Sequence, residues 1–313
     1  MTRVFIDGSA GTTGLRIRER LSLRDDILSF VLPDELRKDP SARADALNSA
    51  DVAFLCLPDA AAEEAVFLVS DPDTVIIDTS TAHRVSPGWT YGFPELAGQR
   101  VKIAASKRIA NPGCHATGFI ALAAPLTAAG IIDKDARLSC FSLTGYSGGG
   151  KKMIAEYEAP DADPLLQAPR QYGLGQTHKH LPEMATISGL TNPPVFCPVV
   201  APYYAGMEVT VPLTRDQYSG SIDDIRDAYR AYYTGGMVSF HDSPDESGFL
   251  SAGAFAGRDD LQVAVFGNEE RVLLVSRFDN LGKGASGAAI QNMNLVLGLP
   301  EATGLVREGP WKN

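Results

Sequence analysis

The chain has 313 residues, 44% hydrophobic and 21% charged, a composition typical of a folded protein with more than one hydrophobic core. A net charge of −10 provides no basic surface for nucleic acid or an anionic membrane, and the longest apolar stretch, 119–132, is too short to span a bilayer. The four cysteines have no CxxC or zinc-ligand spacing, which favours free thiols in a reducing cytoplasm and no bound metal.

The N-terminal segment has the pattern of a strand, a glycine-rich turn and a helix. An apolar strand at 3–6 and a helical run at 15–23 flank the turn, which consists of Gly8, Ser9, Ala10, Gly11, Thr12, Thr13 and Gly14. Glycines let a backbone approach a pyrophosphate that rests on the helix N-terminus. The spacing is GxxGxxG rather than GxGxxG, and α/β loops that bind nothing also contain such turns.

Four further strands are predicted at 27–32, 52–57, 75–77 and 101–104, separated by helical stretches that include 41–49 and 60–69. Strands that alternate with helices form a parallel, doubly wound sheet of the Rossmann type, with ligand at the carboxyl ends of the strands. The sequence therefore predicts an α/β dinucleotide-binding domain in the first third of the chain.

Charged residues follow the second predicted strand. Asp34 and Glu35 lie about 20 residues beyond the glycines, where an acid would bind the ribose of NAD. Arg37 and Lys38 come next and would instead neutralise the 2′-phosphate of NADP, and a solvated run of loop charges explains all four equally well. The spacing leaves the choice of dinucleotide open.

Three residues near the ends of later strands are also candidates for binding the cofactor or an anion. Pro58 stops the third strand, so the turn after it would face the cofactor. Ser80 and Arg84 follow the fourth strand, where a hydroxyl and a guanidinium suit an oxyanion. Helix capping explains Ser80 about as well.

The most informative segment is NPGCHATG at 111–118, which places Cys114 after a Pro-Gly turn and before an apolar helical run. In the first turn of a helix, unpaired N–H groups and the helix dipole stabilise a thiolate, which is the nucleophilic form of cysteine. The alternative is a small buried cysteine in a strand-to-helix turn.

A glycine-rich stretch follows a predicted strand at 138–143. Ser147, Gly148 and Lys151 within it could bind a phosphate or a carboxylate, because consecutive glycines expose N–H groups and the lysine adds charge. A flexible hairpin or loop tip is the competing interpretation.

His178 and His180 are two residues apart, a spacing that puts both imidazoles on one face of an extended chain. One could act as a general acid/base and the other as its neighbour, with Glu183 fixing a tautomer. A surface pair of histidines is the alternative, and a zinc site lacks a third ligand of the usual kind nearby.

The remaining pattern predicts a second, α+β domain, with strands at 195–200, 207–211 and 272–277 and a helix at 221–233. The chain then closes on DNLGKGASGAAIQNMN at 279–294, where small residues open a helix that Gly298 ends. Small residues permit close approach to another element or to a nicotinamide ring.

Taken together, these segments resemble the N-acetyl-γ-glutamyl-phosphate reductase family, whose members are related to aspartate-semialdehyde dehydrogenase. NPGC at 111–114 resembles the family's nucleophile motif, and KGASGAAIQNMN at 283–294 resembles its closing, cofactor-proximal helix. The match extends over nearly the whole chain and includes LPD at 57–59, YGFPEL at 91–96 and HKHLPE at 178–183.

The resemblance implies an NADP(H)-dependent reductase that works through a thioester on Cys114, with His178, or else His180, moving the proton. Asn280, Lys283 and Gly284 would then lie near the nicotinamide. It also implies a Rossmann domain formed by 1–113 and 280–313, a catalytic domain at 114–279, an acyl-phosphate substrate, inorganic phosphate as a product, and a homo-oligomer, either a dimer or a tetramer.

The length of the chain and its abbreviated loops resemble the shorter form of this family. Two features depart from the longer form. His115 stands where an aromatic residue is familiar, which raises the possibility that it assists the thiolate, and Gly149-Gly150-Lys151 replaces a GAGR-type run. Three other functions are considered: the same chemistry on aspartyl or aminoadipyl phosphate, a cysteine hydrolase without dinucleotide, and a nucleotide-binding sensor without catalysis.

Overall fold

The computed structural model describes residues 1–307. The described chain divides into two compact units, 1–113 with 285–305, and 114–284 with 306–307. Residues 308–313, which the sequence assigned to the Rossmann domain, lie outside the described residues.

The elements of residues 1–113 are β1 (Thr2–Asp7), α1 (Thr12–Leu21), β2 (Ile27–Phe30), α2 (Pro40–Asn48), β3 (Val52–Leu55), α3 (Asp59–Phe67), β4 (Val75–Asp78), β5 (Thr90–Tyr91), α4 (Gln99–Ala104) and β6 (Arg108–Ala110). Those of the remaining described chain are α5 (Cys114–Ala128), β7 (Ser139–Gly145), α6 (Gly150–Glu158), β8 (Arg170–Gln171), α7 (Leu181–Ser188), β9 (Val195–Ala201), β10 (Met207–Thr214), α8 (Ile222–Tyr232), β11 (Val238–Phe240), β12 (Leu261–Asn268), β13 (Arg271–Phe278) and α9 (Gly287–Val296).

The first unit contains a six-stranded parallel sheet in the order β2-β1-β3-β4-β6-β5. Successive side chains of its strands enter two cores: Val4 and Ile6 pack with residues of α1 and α9, whereas Phe5 packs with residues of α2 and α3. Helices therefore cover both faces of the sheet, and the predicted doubly wound α/β fold is confirmed.

One predicted strand of this unit, 101–104, is wrong, because these residues form the C-terminal part of α4. Residues two apart share a face in a strand, yet Val101 is 74% exposed and Ile103 is fully buried. A rotation of about 200° over two residues of a helix accounts for that difference. The short strands β5, at the edge of the sheet, and β6, next to it, were not predicted.

The second unit contains a seven-stranded mixed sheet in the order β11-β12-β13-β10-β7-β9-β8. The predicted strands at 138–143, 195–200, 207–211 and 272–277 and the helix at 221–233 are confirmed as β7, β9, β10, β13 and α8. The glycine-rich stretch, for which a flexible hairpin or loop tip was the competing interpretation, continues into α6. Strands β8, β11 and β12 were not predicted.

Helix α5 lies in the middle of this unit and is buried almost throughout. A Cβ atom on Gly118 would lie 2.4 Å from Val209 Cγ2 and 2.9 Å from Ser276 Oγ, so glycine lets the helix pack directly on the sheet. This burial explains the long apolar stretch of the sequence. Within residues 1–307, every helix lacks the combination of length and apolar character needed to cross a membrane.

Candidate active site

The glycine turn after β1 is shaped by close backbone contacts. Gly8 has a φ of +87°, and a Cβ atom there would lie 2.2 Å from the carbonyl oxygen of Cys56. A Cβ atom on Gly14 would lie 2.6 Å from the carbonyl oxygen of Gly8, whereas the nearest atom to one on Gly11 is 3.6 Å away. The outer glycines are therefore required by packing, and the middle one leaves space above the turn.

The start of α1 fits a bound phosphate. Among residues 1–307 no side chain caps this helix, and its first turn carries no acidic residue. The buried hydroxyl of Thr12 has no hydrogen-bond partner within the same range. The first N–H groups of any helix lack intrahelical acceptors, so those of Thr12, Thr13 and Gly14 suit a pyrophosphate at this point, with Ser9 and Ala10 in the preceding arc.

A buried ion pair fixes the strand that leads into the turn. Arg43 on α2 donates to Oδ2 of Asp7 through Nε at 3.0 Å and Nη2 at 2.9 Å. Burial raises the pKa of Asp7, and the neighbouring Arg43 opposes that rise. Sequence reasoning missed this pair, because an arginine within a helix and the last residue of a strand form no recognisable motif.

Arg37 and Lys38 lie in the exposed turn after β2. Arg37 Nη1 is 3.6 Å from Asp34 Oδ1, a solvent-exposed pair that contributes little to stability. Glu35 is exposed as well. The turn thus keeps both acidic and basic groups in solvent.

Ser80 and Arg84 are engaged inside the first unit. Ser80 Oγ donates to Asp78 Oδ2 at 2.7 Å, and Arg84 donates through Nε to the carbonyl of Asn111 at 3.0 Å and through Nη2 to that of Thr79 at 3.2 Å. Arg84 therefore holds the backbone that leads to Cys114. Pro58 precedes the first residue of α3.

Cys114 is the first residue of α5 and is half-buried. A Cβ atom on Gly284 would lie 2.9 Å from Cys114 Cβ, so a glycine is needed where the closing segment passes the cysteine. Burial raises the pKa of the Cys56 thiol to about 12 and that of Cys140 further, which keeps both protonated. Cys114 differs from these two in lying at a helix N-terminus, which stabilises a thiolate.

The side chain of His115 is buried and held at both nitrogens. Nδ1 lies 2.7 Å from Ser142 Oγ and Nε2 lies 2.6 Å from the hydroxyl of Tyr172. Burial, with the nearby His178, lowers the pKa of His115 to about 3, so the ring is neutral. Neither nitrogen is left to accept a proton from Cys114, and His115 is therefore placed to orient Tyr172.

His178 and His180 pack against His115 and complete a cluster of imidazoles. The ring centroids of His178 and His180 are 4.8 Å apart. The centroid of His115 lies 6.0 Å from that of His178 and 5.5 Å from that of His180. The backbone N–H of His180 donates to His178 Nδ1 at 3.3 Å, which in the neutral ring puts the proton on Nε2. His178 is half-exposed, whereas His180 and Glu183 are buried.

The other predicted residues of the second unit follow β7 or β13 in the chain. Asn280 donates through Nδ2 to Ser147 Oγ at 3.0 Å and accepts the N–H of Gly206 at 2.9 Å. Gly148 and Lys151 are exposed, and Lys283 is buried. Ser147 and Asn280 are thus brought together, although they lie 133 positions apart in sequence.

The buried His115 makes the stability of the fold depend on pH. Between pH 6.5 and about 3 the unfolded chain binds a proton at His115 that the folded chain does not. The free energy of unfolding should therefore decrease as the pH is lowered through this window, by about 1.4 kcal/mol per pH unit, and H115Q should flatten that dependence. Urea unfolding at several pH values measures it. H241Q is the comparison and should remove a smaller share, since His241 is more exposed; an H115Q slope equal to that of the unmodified protein would contradict the assignment.

Two family models match the chain. "Semialdehyde dehydrogenase, NAD binding domain" matches residues 28–104, and "Semialdehyde dehydrogenase, dimerisation domain" matches 114–280. The aspartate semialdehyde dehydrogenase II of Vibrio cholerae has the same fold, with a TM-score of 0.72 at 18% identity over 95% of this chain and 98% of that one. Fold and matches define the class as a semialdehyde dehydrogenase.

Two relatives narrow the class. N-acetyl-gamma-glutamyl-phosphate reductase 2 of Nostoc sp. is 47% identical over 97% of this chain and 99% of its own length. The protein of that name from Pseudomonas putida is 44% identical over 96% of this chain and 98% of its own. The chain belongs to the N-acetyl-γ-glutamyl-phosphate reductase family.

Proposed function

We propose that the protein reduces N-acetyl-γ-glutamyl phosphate to N-acetyl-glutamate semialdehyde and inorganic phosphate with NADPH, a step of arginine biosynthesis. The observation that carries the proposal is the position of Cys114, at the start of α5 and next in the chain to a histidine of the imidazole cluster. Relatives that share the name of this reductase over nearly their whole length support the choice of substrate.

In the proposed reaction the Cys114 thiolate attacks the acyl carbon, the bond to the phosphate oxygen breaks, and a thioester forms as phosphate leaves. A bound NADPH supplies the hydride that reduces the thioester carbon. His178, with a proton on Nε2, donates it to the oxygen of the resulting thiohemiacetal and recovers it when the C–S bond breaks to release the aldehyde. His180 holds His178 through its backbone N–H, and Glu183 supports the pair.

We assign dinucleotide binding to the first unit and catalysis to the second. The glycine turn 8–14 would hold the pyrophosphate, with Pro58 and Ser80 at neighbouring strand ends. Asn280, Lys283 and Gly284 would position the nicotinamide.

Arg37 and Lys38 would attract the 2′-phosphate of NADP, which favours NADPH over NADH. Titration with NADPH and NADH tests this choice, and equal or tighter binding of NADH would contradict it.

The phosphate group of the substrate is assigned to the end of β7. Ser147, Gly148 and Lys151 offer a hydroxyl, backbone N–H groups and a positive charge there. Arg84 acts on the substrate only indirectly, through the backbone that it holds before Cys114. A K151Q variant with an unchanged KM for phosphate would remove Lys151 from this assignment.

The open face of the second unit's sheet is proposed to pair with a second copy of the chain, as the matched dimerisation domain suggests. Phe141, Val195 and Leu273 are large apolar residues on this face, and each is more than 40% exposed. Apolar surface of this kind on a sheet is characteristic of an interface. Sedimentation velocity tests the proposal, and a monomer at micromolar concentration contradicts it.

The assay that tests the proposed function is phosphate-dependent oxidation of aldehydes by NADP⁺. N-acetyl-glutamate semialdehyde should give a kcat/KM at least about tenfold above that for aspartate semialdehyde or aminoadipate semialdehyde. A higher value for either competitor would assign the same chemistry to another acyl phosphate. Lack of saturable NADPH binding would favour a cysteine hydrolase instead.

A further inference from the structure

Arg170 at the start of β8 is half-buried and carries a positive charge. Nη2 donates to the hydroxyl of Tyr157 at 3.0 Å, and the guanidinium carbon lies 5.3 Å from the centre of that ring. Nε is enclosed and has no hydrogen-bond partner among residues 1–307, and across the same range no carboxylate pairs with Arg170. The enclosed Nε is out of reach of a ligand, but the two Nη groups carry four of the five N–H donors of an arginine, and Tyr157 engages one of these.

Arg170 is half-buried, and it differs from the buried arginines of the chain, which have partners. Arg43 is paired with Asp7, Arg277 with Glu246, and Arg84 donates to two backbone carbonyls. Enclosing a charge without a partner is costly, and buried charges are therefore normally paired. An anion that arrives with the substrate would supply the missing partner of Arg170.

The register of the sheet places Arg170 beside the candidate active site. Arg170 stands opposite Val200 of β9, and Val200 stands opposite Thr144 of β7. Residues two apart in an extended chain share a face, so Arg170 lies on the same face as Tyr172, whose hydroxyl is bonded to His115. Thr144, which the turn Tyr146–Gly149 follows, lies on that same face of the sheet, two strands away from Arg170.

The length of the proposed substrate matches this spacing. Four C–C bonds separate its acyl carbon from its α-carboxylate carbon, a span of about 5 Å. Arg170 and Tyr172 are two residues apart, which is about 6.6 Å along a strand. The hydroxyl of Tyr172 lies 2.6 Å from Nε2 of His115, the residue next to Cys114 in the chain. Burial raises the pKa of Tyr172, and the charge of a Cys114 thiolate raises it further. An acyl carbon on Cys114 therefore leaves the carboxylate within reach of the guanidinium.

We propose that Arg170 binds the α-carboxylate of the substrate and so selects N-acetyl-glutamyl compounds over analogues that lack this group. The assignment rests on the proposed function and adds a specificity-determining residue to it. A planar fork and a carboxylate form paired, charge-assisted hydrogen bonds, which give both affinity and orientation. Tyr157 supports the fork from one side, and its own ring stacks on Tyr146 at 4.6 Å.

The test uses the oxidative direction, because the carboxylate and the phosphate then arrive on separate substrates. The probes are N-acetyl-glutamate semialdehyde, 4-acetamidobutanal, which is the same aldehyde without the carboxylate, and inorganic phosphate. In R170Q, kcat/KM for the carboxylated aldehyde should fall by about a hundredfold, mostly through KM. Activity on 4-acetamidobutanal and the KM for phosphate should stay within about twofold of the unmodified enzyme.

In R170K, kcat/KM for the carboxylated aldehyde should fall less than in R170Q, because lysine keeps the positive charge but lacks the planar fork. In Y157F, KM for the carboxylated aldehyde should rise by less than about tenfold. These two variants test the proposal even where R170Q does not fold. R215Q is the matched control: Arg215 also stacks on a tyrosine of this unit, Tyr218, at 4.8 Å, and its removal should change neither aldehyde's kinetics.

Three outcomes would overturn the assignment while leaving the proposed function intact. The first is an unchanged kcat/KM for both aldehydes in R170Q, and the second is an equal fall in kcat/KM for both. The third is a raised KM for phosphate, which would assign Arg170 to the phosphate group. An unmodified enzyme that does not oxidise N-acetyl-glutamate semialdehyde would overturn both.

Discussion

Replacing Cys114 by serine should lower the phosphate-dependent oxidation of N-acetyl-glutamate semialdehyde by about four orders of magnitude or more. A serine hydroxyl at the start of α5 keeps the size of the side chain, but it is scarcely ionised at neutral pH and is a far weaker nucleophile than a thiolate. Binding of NADPH should change by less than about twofold, because the glycine turn 8–14 is untouched. Initial rates and a fluorescence titration measure the two effects.

C197S is the matched control for this experiment. Cys197 is a free, half-buried cysteine on β9 of the same unit, and its replacement should leave the rate within about twofold of the unmodified enzyme. Mass spectrometry of the enzyme mixed with the acyl phosphate in the absence of NADPH should find the acyl group on Cys114. An acyl group on another residue, or full activity in C114S, would contradict covalent catalysis at this position.

The parts of the candidate site that lie in one short segment were accessible to sequence reasoning. Cys114 follows a turn and begins a helix, and His178 and His180 are two residues apart, so residue type and local spacing define them. The glycine turn 8–14 belongs to the same class, because its conformational requirement is local. The structure adds the reason for its outer glycines, which is a carbonyl oxygen within 2.6 Å of each missing Cβ.

The parts that depend on sheet register were not accessible. His115 contacts Ser142 and Tyr172, which lie 27 and 57 positions further along the chain and meet it only because β7, β9 and β8 are neighbours. Arg170 joins the same face for the same reason. No periodicity in the sequence specifies which strands of a mixed sheet pair, since each pairing depends on the packing of the whole unit.

One wrong prediction and one interpretation left open by the sequence have a local physical cause. Residues 101–104 are a short apolar run, and a run of that length has no period that separates a strand from a helix; the exposed Val101 beside the buried Ile103 reveals the helix. The stretch from Thr144 to Lys152 contains consecutive glycines, which favour a loop, but α6 begins at Gly150. In the first case helical packing overrides the strand propensity of the apolar run. In the second case a helix begins at a glycine, although consecutive glycines favour a loop.

Replacing His178 by glutamine should lower kcat by roughly 10²- to 10⁴-fold and remove one ionisation from the pH dependence of kcat. The amide keeps a hydrogen-bonding side chain of similar length, but it cannot exchange a proton with the thiohemiacetal oxygen. Acylation of Cys114 by the acyl phosphate should persist, because phosphate is a good leaving group and departs without help from this ring. Steady-state pH profiles and the mass of the acylated enzyme measure the two effects separately.

Two variants separate His178 from the other histidines. H241Q changes a histidine of the same unit that takes no part in the ring contacts of the imidazole cluster, and it should leave kcat within about twofold. H180Q keeps the backbone N–H that His180 donates to His178 Nδ1, so it should lower kcat less than H178Q does. A larger loss in H180Q would transfer the proton-exchanging role to His180, because the effect would then follow the buried ring rather than the half-exposed one. Equal losses in both variants, with the ionisation still present, would show that the two rings serve only to hold the site together.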